Sequence, residues 1–211
     1  VVEDLLNHPN LQKQHYGIIH FDSPDARGID VAFLYKKSVF VPSTFKSYRL
    51  LLFDELGERD YTRDQLIVGG VLDNEAFYFM VNHWPSRRDG ADETSYKRIT
   101  AAETVLQKLD RLNEDLPNII VMGDFNDDPT SKSIQTLMAS GRFINPMQKL
   151  LSPVSGSANY KGKWSLFDQI LVSHTFLNYE PGTHSFKKAK IFSPRFLTEW
   201  KGKYKGNPFR T

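Results

Sequence analysis

The sequence predicts a mixed α/β (α+β) fold: a mixed sheet, or two sheets packed face to face, with helices outside. Three observations predict it. Short β-like runs follow one another along most of the chain, one long segment switches to helical spacing, and strand and helix never alternate strictly. Residues 2–7 read as the tail of a helix, stopped by Asn7, Pro9 and Asn10. Tyr16 to Phe21 is the first strand. Ile29 to Tyr35, a mostly apolar run, suits a second strand buried on both faces. Val39 to Tyr48 follows a Lys-Lys-Ser turn and is expected to form a hairpin with that second strand. Leu66 to Leu72 and Ala76 to Asn82 flank Asp73-Asn74, residue types that a tight hairpin turn accepts. Across 92–116, Ile99, Ala102, Leu106, Leu109, Leu112 and Leu116 recur at helical spacing with charges between them. Asn118 to Met122 is a short buried strand that runs into Gly123-Asp124-Phe125-Asn126. Ser131 to Ala139 is a helix closed by Gly141. Residues 152–163 read as a loop, Phe167 to Ser173 as a strand and Lys187 to Phe192 as another. The tail from Lys201 to Thr211 is basic and glycine-rich and carries no core pattern.

With 211 residues the chain can bury a core of its own as one domain. Its 27 basic and 25 acidic residues leave a net charge of +2, so no global basic field points to nucleic acid. The absence of cysteine excludes a disulfide framework, a thiolate zinc site and a cysteine nucleophile. No apolar run approaches the roughly 20 residues that span a bilayer. The chain opens on Val1-Val2, which leaves room for a removed upstream piece and a targeting segment with it. Bacterial cytoplasm and export both stay open, and a monomer is the expectation. No Gly-x-Gly-x-x-Gly follows a strand and no Gly-Lys-Ser/Thr loop occurs, which counts against a dinucleotide or P-loop site.

Four segments could carry chemistry. In the first, a buried strand ends at Gly123 and polar groups follow at once. Asp124 and Asn126 lie two apart, so in extended chain they point the same way. A carboxylate beside a carboxamide suits a hard cation such as Mg²⁺ or Mn²⁺ and can orient a water. Asp127 and Asp128 read better as turn and cap residues of the next helix. In the second, Phe77 to Val81 leads into Asn82, His83, Trp84, Pro85, Ser86, Arg87 and Arg88. His83 can bond a phosphate oxygen or move a proton, Asn82 can position an oxygen ligand, and Arg87 and Arg88 offer forked donors. Alone, this segment reads better as a surface histidine beside a packed tryptophan, with two solvated arginines; alongside the first motif it does not. In the third, Asp168 sits within an apolar run, and such an acid needs a partner, a histidine N–H or an arginine; a structural ion pair and a site role fit this segment equally. In the fourth, Arg27 and Asp30 flank the start of a buried strand; either could face a cleft, and mutual pairing is the plainer expectation.

GDFND at 123–127, NHWPSR at 82–87, FDQILVS at 167–173 and RGIDVAFLY at 27–35 stand in the order of the endonuclease/exonuclease/phosphatase superfamily. The chain resembles its bacterial branch over essentially its whole length. The resemblance implies a DNase I-like four-layer αββα sandwich of two mixed sheets. It implies Mg²⁺- or Mn²⁺-dependent hydrolysis of a phosphoester by in-line water attack. Residue by residue, Asp124 resembles the acid that orients the attacking water, and Asn126 its phosphate- and metal-side neighbour. His83 resembles the phosphate-bonding histidine, Asn82 its companion, and Asp168 the acid that orients a C-terminal histidine. The family's upstream Asn and Gln-Glu strands and its downstream Ser-Asp-His strand are not in this sequence. The domain is therefore expected to be incomplete at both termini and, expressed alone, to hydrolyse bis-p-nitrophenyl phosphate weakly or not at all. The substrate stays undecided between nucleic acid and a small phosphodiester. The alternative is a non-catalytic module of the same fold that grips phosphate through Arg87, Arg88 and His83.

Overall fold

A two-residue turn at Asp73-Asn74 starts the sheet. Both residues have positive φ (45° and 72°), which a two-residue hairpin with right-twisted arms requires and which Asp and Asn tolerate. The computed structural model describes residues 1–112 and 118–209. In chain order its elements are α1 (Val2–Asn7), α2 (Pro9–Gln12), β1 (Tyr16–His20), β2 (Ala32–Lys36), β3 (Phe40–Tyr48), β4 (Leu52–Phe53), β5 (Arg59–Asp60), β6 (Gln65–Leu72), β7 (Glu75–His83), α3 (Ser95–Asp110), β8 (Asn118–Asp124), α4 (Lys132–Ala139), β9 (Phe143–Ile144), β10 (Ala158–Tyr160), β11 (Lys163–Ser165) and β12 (Asp168–Ser173). Short 3₁₀ turns occupy Gln148–Leu150, His174–Leu177 and Arg195–Leu197.

The central sheet has the order β3-β6-β7-β8-β12-β9. All its pairs are antiparallel except β7 with β8. A parallel neighbour needs a crossover, and α3 supplies it. Strand alternation then sends side chains to two faces. Ile67, Met80, Ile119 and Val121 meet Ala101, Ala102 and Val105 of α3 and Ile134 and Leu137 of α4. Leu66 and Val68 meet Ile19 of β1, Phe33 of β2 and Phe40 on the opposite face. A helical layer, the central sheet and the β1–β2 pair are thus three packed layers. Neither α1 nor α2 buries a residue.

Several expected elements differ. The N-terminal helix stops at Asn7 as expected, with His8 extended ahead of Pro9, but Pro9 and Asn10 then open the short α2, where the missing proline N–H costs nothing. The second strand begins at Ala32 and is only half-buried, because it pairs with β1 alone. The expected β2–β3 hairpin does not form: β3 pairs with β6 instead. The buried stripe of α3 is Arg98, Ala101, Ala102, Val105 and Leu109, so Ile99 and Leu106 flank it and Leu112 lies just past the helix end; Leu116 lies outside the described residues. The 152–163 stretch is not all loop, since Ala158–Tyr160 pairs with Lys163–Ser165. No strand forms at 187–192.

Gly123 is where the parallel pair is tightest. Its φ is +137°, and a Cβ there would meet the backbone oxygen of its register partner Asn82 at 1.9 Å. Relief would require the strands to part. Gly123→Ala is therefore expected to destabilise the protein by about 2–4 kcal/mol. Urea unfolding checks this, against Gly141→Ala, where a Cβ would meet nothing within 4 Å and only the backbone strain is felt.

Candidate active site

Strand register assembles the site. Parallel pairing sets His83 beside Asp124, and antiparallel pairing sets Asp168 on the other side of Asp124. Register partners on neighbouring strands face the same side of a sheet, so three titratable groups form one row across β7, β8 and β12. The His83 Nε2 to Asp124 Oδ2 distance is 3.7 Å.

The chain turns immediately after this row. Asn126 has φ of +49°, and its N–H donates to Asp124 Oδ1 at 2.8 Å, closing an Asx turn. Its Nδ2 donates to the Trp84 carbonyl at 2.8 Å. Asp124 and Asn126 are therefore neighbours through a turn, and the extended-chain reason for grouping them does not hold. Trp84 and Phe125 lie beneath, fully buried edge to face with centroids 4.7 Å apart, so Trp84 packs the core. Asn82 is likewise engaged inside the chain: its Oδ1 accepts from Trp84 Nε1 and its Nδ2 donates to the Met80 carbonyl.

Asp127 ties the loop down. One oxygen meets Arg87 Nη2 at 2.7 Å and Arg98 Nε at 2.9 Å, and the other accepts from Ser133 Oγ. Arg87 also donates to the Asn126 carbonyl and lies over the Phe167 ring, so its guanidinium clamps the loop. Asp128 accepts from the Leu166 N–H at 2.7 Å. Both acids are structural, as their turn context suggested, but the residue at the N-cap of α4 is Ser131. Arg88 is exposed and lines a separate cavity of about 350 Å³ with Arg27, Arg63 and Lys97. Arg27 and Asp30 do not pair: Arg27 approaches Asp25, and Asp30 binds His20 and the Ser23 N–H.

Charge in the row is unevenly balanced. Burial pushes the His83 pKa down to about 4, and Arg63 and Arg27 push the same way, against Asp25 and Asp168. Asp124 keeps 36% of its side chain open, yet desolvation by the strand ends raises its pKa, opposed by the Asn126 N–H and by Arg63. Asp168 is raised first by desolvation and further by Asp124, against its Ser157 hydrogen bond. The histidine or arginine partner expected for Asp168 is not hydrogen-bonded to it among the described residues; its register neighbour is a like charge. Asp168 also borders an apolar cavity of about 420 Å³ with Gly123, Ser157, Ile170 and Phe192.

Sequence reasoning missed Arg63, Arg98 and Gln169. Arg63 is buried, bonds Asp25 at 3.1 Å and donates to the Trp84 carbonyl at 2.5 Å. Gln169 Nε2 donates to the Asp127 carbonyl at 2.6 Å. The available signal was a charge inside an apolar pattern: Arg98 stands three residues before Ala101, on the buried stripe.

The profile described as "Endonuclease/Exonuclease/phosphatase family" matches residues 1–211. The chain belongs to the endonuclease/exonuclease/phosphatase family. Solved structures share its fold. A family protein from Bacteroides thetaiotaomicron has a TM-score of 0.59 at 20% identity, covering 82% of this chain and 64% of that one. The human Nocturnin catalytic domain, with bound sulfate, has a TM-score of 0.59 at 18% identity, covering 80% and 64%. A mannosyl-6-phosphatase from B. thetaiotaomicron has a TM-score of 0.56 at 18% identity, covering 81% and 68%. The chain thus spans about two thirds of the length of these family structures. A search of curated proteins found no match.

The depressed His83 pKa has a stability consequence. Between the ordinary value of 6.5 and about 4, the unfolded chain holds a proton on this ring that the folded chain does not. The histidine's contribution is present above pH 6.5 and is lost as pH falls toward 4. Asp124 and Asp168 act oppositely, since raised carboxylates gain stability as pH falls. We expect His83→Gln to lose less stability than wild type between pH 7 and 4.5, by on the order of 2 kcal/mol. Urea unfolding of both proteins at the two pH values checks this.

Proposed function

We propose that the row His83–Asp124–Asp168 hydrolyses a phosphoester, with water attacking phosphorus and the bond to the leaving alcohol breaking. The observation that supports this reading best is the register row itself: three titratable groups side by side at the ends of three adjacent strands, beside a loop tied down by Asp127. His83 is neutral at physiological pH, so one ring nitrogen can donate to a phosphate oxygen while the other accepts. Asp124 can accept a hydrogen bond from the attacking water and hold it in line, and its raised pKa makes it a better proton acceptor. Asn126 is fixed by its Nδ2 bond to Trp84, which directs its amide oxygen as a neutral ligand. Asp168 adds the second negative charge and borders the apolar cavity, which suits the non-phosphate part of a substrate.

The residues fit a hard cation. Two carboxylates stand in register with a histidine that stays uncharged, so the row carries negative charge that Arg63 offsets only through space. Asp124 and Asn126 are the oxygen donors that would hold Mg²⁺ or Mn²⁺; when bound, such an ion supplies positive charge beside the reacting phosphate. The engagement of Arg87 within the loop disfavours the reading of a phosphate-gripping module, since its forked donors are already directed at Asp127. Nucleic acid and a small phosphodiester both match this chemistry.

Bis-p-nitrophenyl phosphate hydrolysis with Mg²⁺ or Mn²⁺, assayed in the protein that contains the chain, tests the proposal. Asp124→Ala is expected to lower kcat by about 10²–10⁴-fold with the far-ultraviolet spectrum unchanged. Turnover that survives this substitution would sink the assignment.

A further inference from the structure

The cavity of about 350 Å³ begins just past His83, where Pro85 and Ser86 line it. Its walls carry four basic side chains, Arg27, Arg63, Arg88 and Lys97, against three acidic ones. Two of the acids are already matched. Asp25 is held by Arg63 at 3.1 Å and Asp60 by Lys97 at 2.6 Å, which leaves the exposed Asp89. Arg27 reaches Asp25 with Nε only, at 3.5 Å, and its Nη1 and Nη2 have no partner among the described residues. The Arg88 guanidinium has no hydrogen bond or ion pair among them either. Two guanidinium forks therefore stand unused on one cavity.

Both arginines sit on turns pinned from beneath. Arg27 lies in a turn closed by its own N–H on Asp25 Oδ1 at 3.0 Å and by the Gly28 N–H on the Asp25 carbonyl at 2.9 Å. Arg63, only 3% exposed, anchors that turn by bonding Asp25 and the Trp84 carbonyl. After β7, the Gly90 N–H closes a turn on the Arg87 carbonyl at 3.1 Å, with Arg88 inside it. Arg98, only 1% exposed, donates to the Ser86 and Ala91 carbonyls on either side of that turn. Two buried arginines thus position two exposed ones, and donors placed in advance lose less freedom when a ligand arrives. Thr62 lines the same cavity, and its buried hydroxyl has no hydrogen-bond partner among the described residues.

The cavity stands beside the row. Arg63 bonds the Trp84 carbonyl that also receives Asn126 Nδ2, and Arg63 and Arg27 both act on His83 through space. The row therefore has a basic cavity on its His83 side and the apolar one on its Asp168 side. A planar guanidinium presents paired N–H donors that match two oxygens of one phosphate. We infer that the basic cavity is a subsite for a second phosphate of the substrate, bonded by Arg27 and Arg88. The phosphoester cleaved at the row then carries a further phosphate on its His83 side. The subsite's place in a substrate rests on the phosphoesterase reading; its affinity for phosphate does not.

Titration calorimetry and nuclear magnetic resonance of arginine Nε–H groups, in the protein that contains the chain, test the subsite without turnover. Inorganic phosphate is expected to shift the Arg27 and Arg88 resonances and to leave that of Arg98 in place. Two pairs of probes separate the sources of the phosphate. Thymidine 5′-phosphate against thymidine 3′,5′-bisphosphate stands for a polynucleotide, and fructose 6-phosphate against fructose 1,6-bisphosphate for a small molecule. In at least one pair the second phosphate is expected to tighten binding about tenfold, and Arg27→Gln and Arg88→Gln each to remove most of that gain. Both side chains are exposed, so both variants keep the fold. Asp124→Ala is expected to leave the gain within about twofold. Arg27 and Arg88 resonances that phosphate does not move, or a second phosphate that adds nothing in either pair, would overturn the proposal. A row without turnover beside shifted arginines would fault the phosphoesterase reading and not the phosphate site.

Discussion

The parallel pairing of β7 with β8 is the constraint on which the rest of the structure depends. It forces the chain through α3, whose buried stripe becomes the core on one face of the sheet. It brings the ends of the two strands level, so that His83 and Asp124 emerge together. Parallel pairs are slightly weaker than antiparallel ones, and here each strand of the pair has an antiparallel neighbour on its far side, β6 and β12. Gly123 shows how closely they approach, since no side chain fits between it and Asn82.

Charge is sorted around that junction. Asp127, fully engaged by Arg87, Arg98 and Ser133, holds the loop, and Asp25, engaged by Arg63, holds the opposite wall. A buried pair of this kind contributes little net stability, but losing one partner leaves an uncompensated charge, so it fixes geometry firmly. Asp124 and Asp168 are treated differently. Arg63 acts on Asp124 only through space, and Asp168 has a like charge beside it. Acids left with raised pKa at adjoining strand ends, next to a histidine held neutral, are the pattern expected of a reactive site.

Much of this was legible in the sequence, for identifiable reasons. Asp73-Asn74 announced its hairpin because few residue types accept two positive φ angles in succession. The strand from Asn118 and the polar residues after it stood out because apolar character ends abruptly at Gly123. Pairing was not legible. Adjacent runs suggested β2 with β3, but the partner of β3 lies beyond β4 and β5, and strand alternation carries no information about which edge pairs. Arg87 and Asn82 carry the right donors for a ligand, yet packing turned them toward the chain itself. Asp168 appeared to need a basic partner, because its opposition to Asp124 follows from tertiary register alone.

Asp124 and Asp168 form one electrostatic unit, in which the charge of Asp124 helps to raise the Asp168 pKa. Following the Asp168 carboxyl by ¹³C nuclear magnetic resonance through an acid titration, in wild type and in Asp124→Asn, tests this most directly. Removing the neighbouring charge should move the Asp168 pKa down toward the ordinary aspartate range while the backbone spectrum stays that of the folded protein. An Asp168 carboxyl that titrates identically in both proteins would mean that the two acids do not share a site.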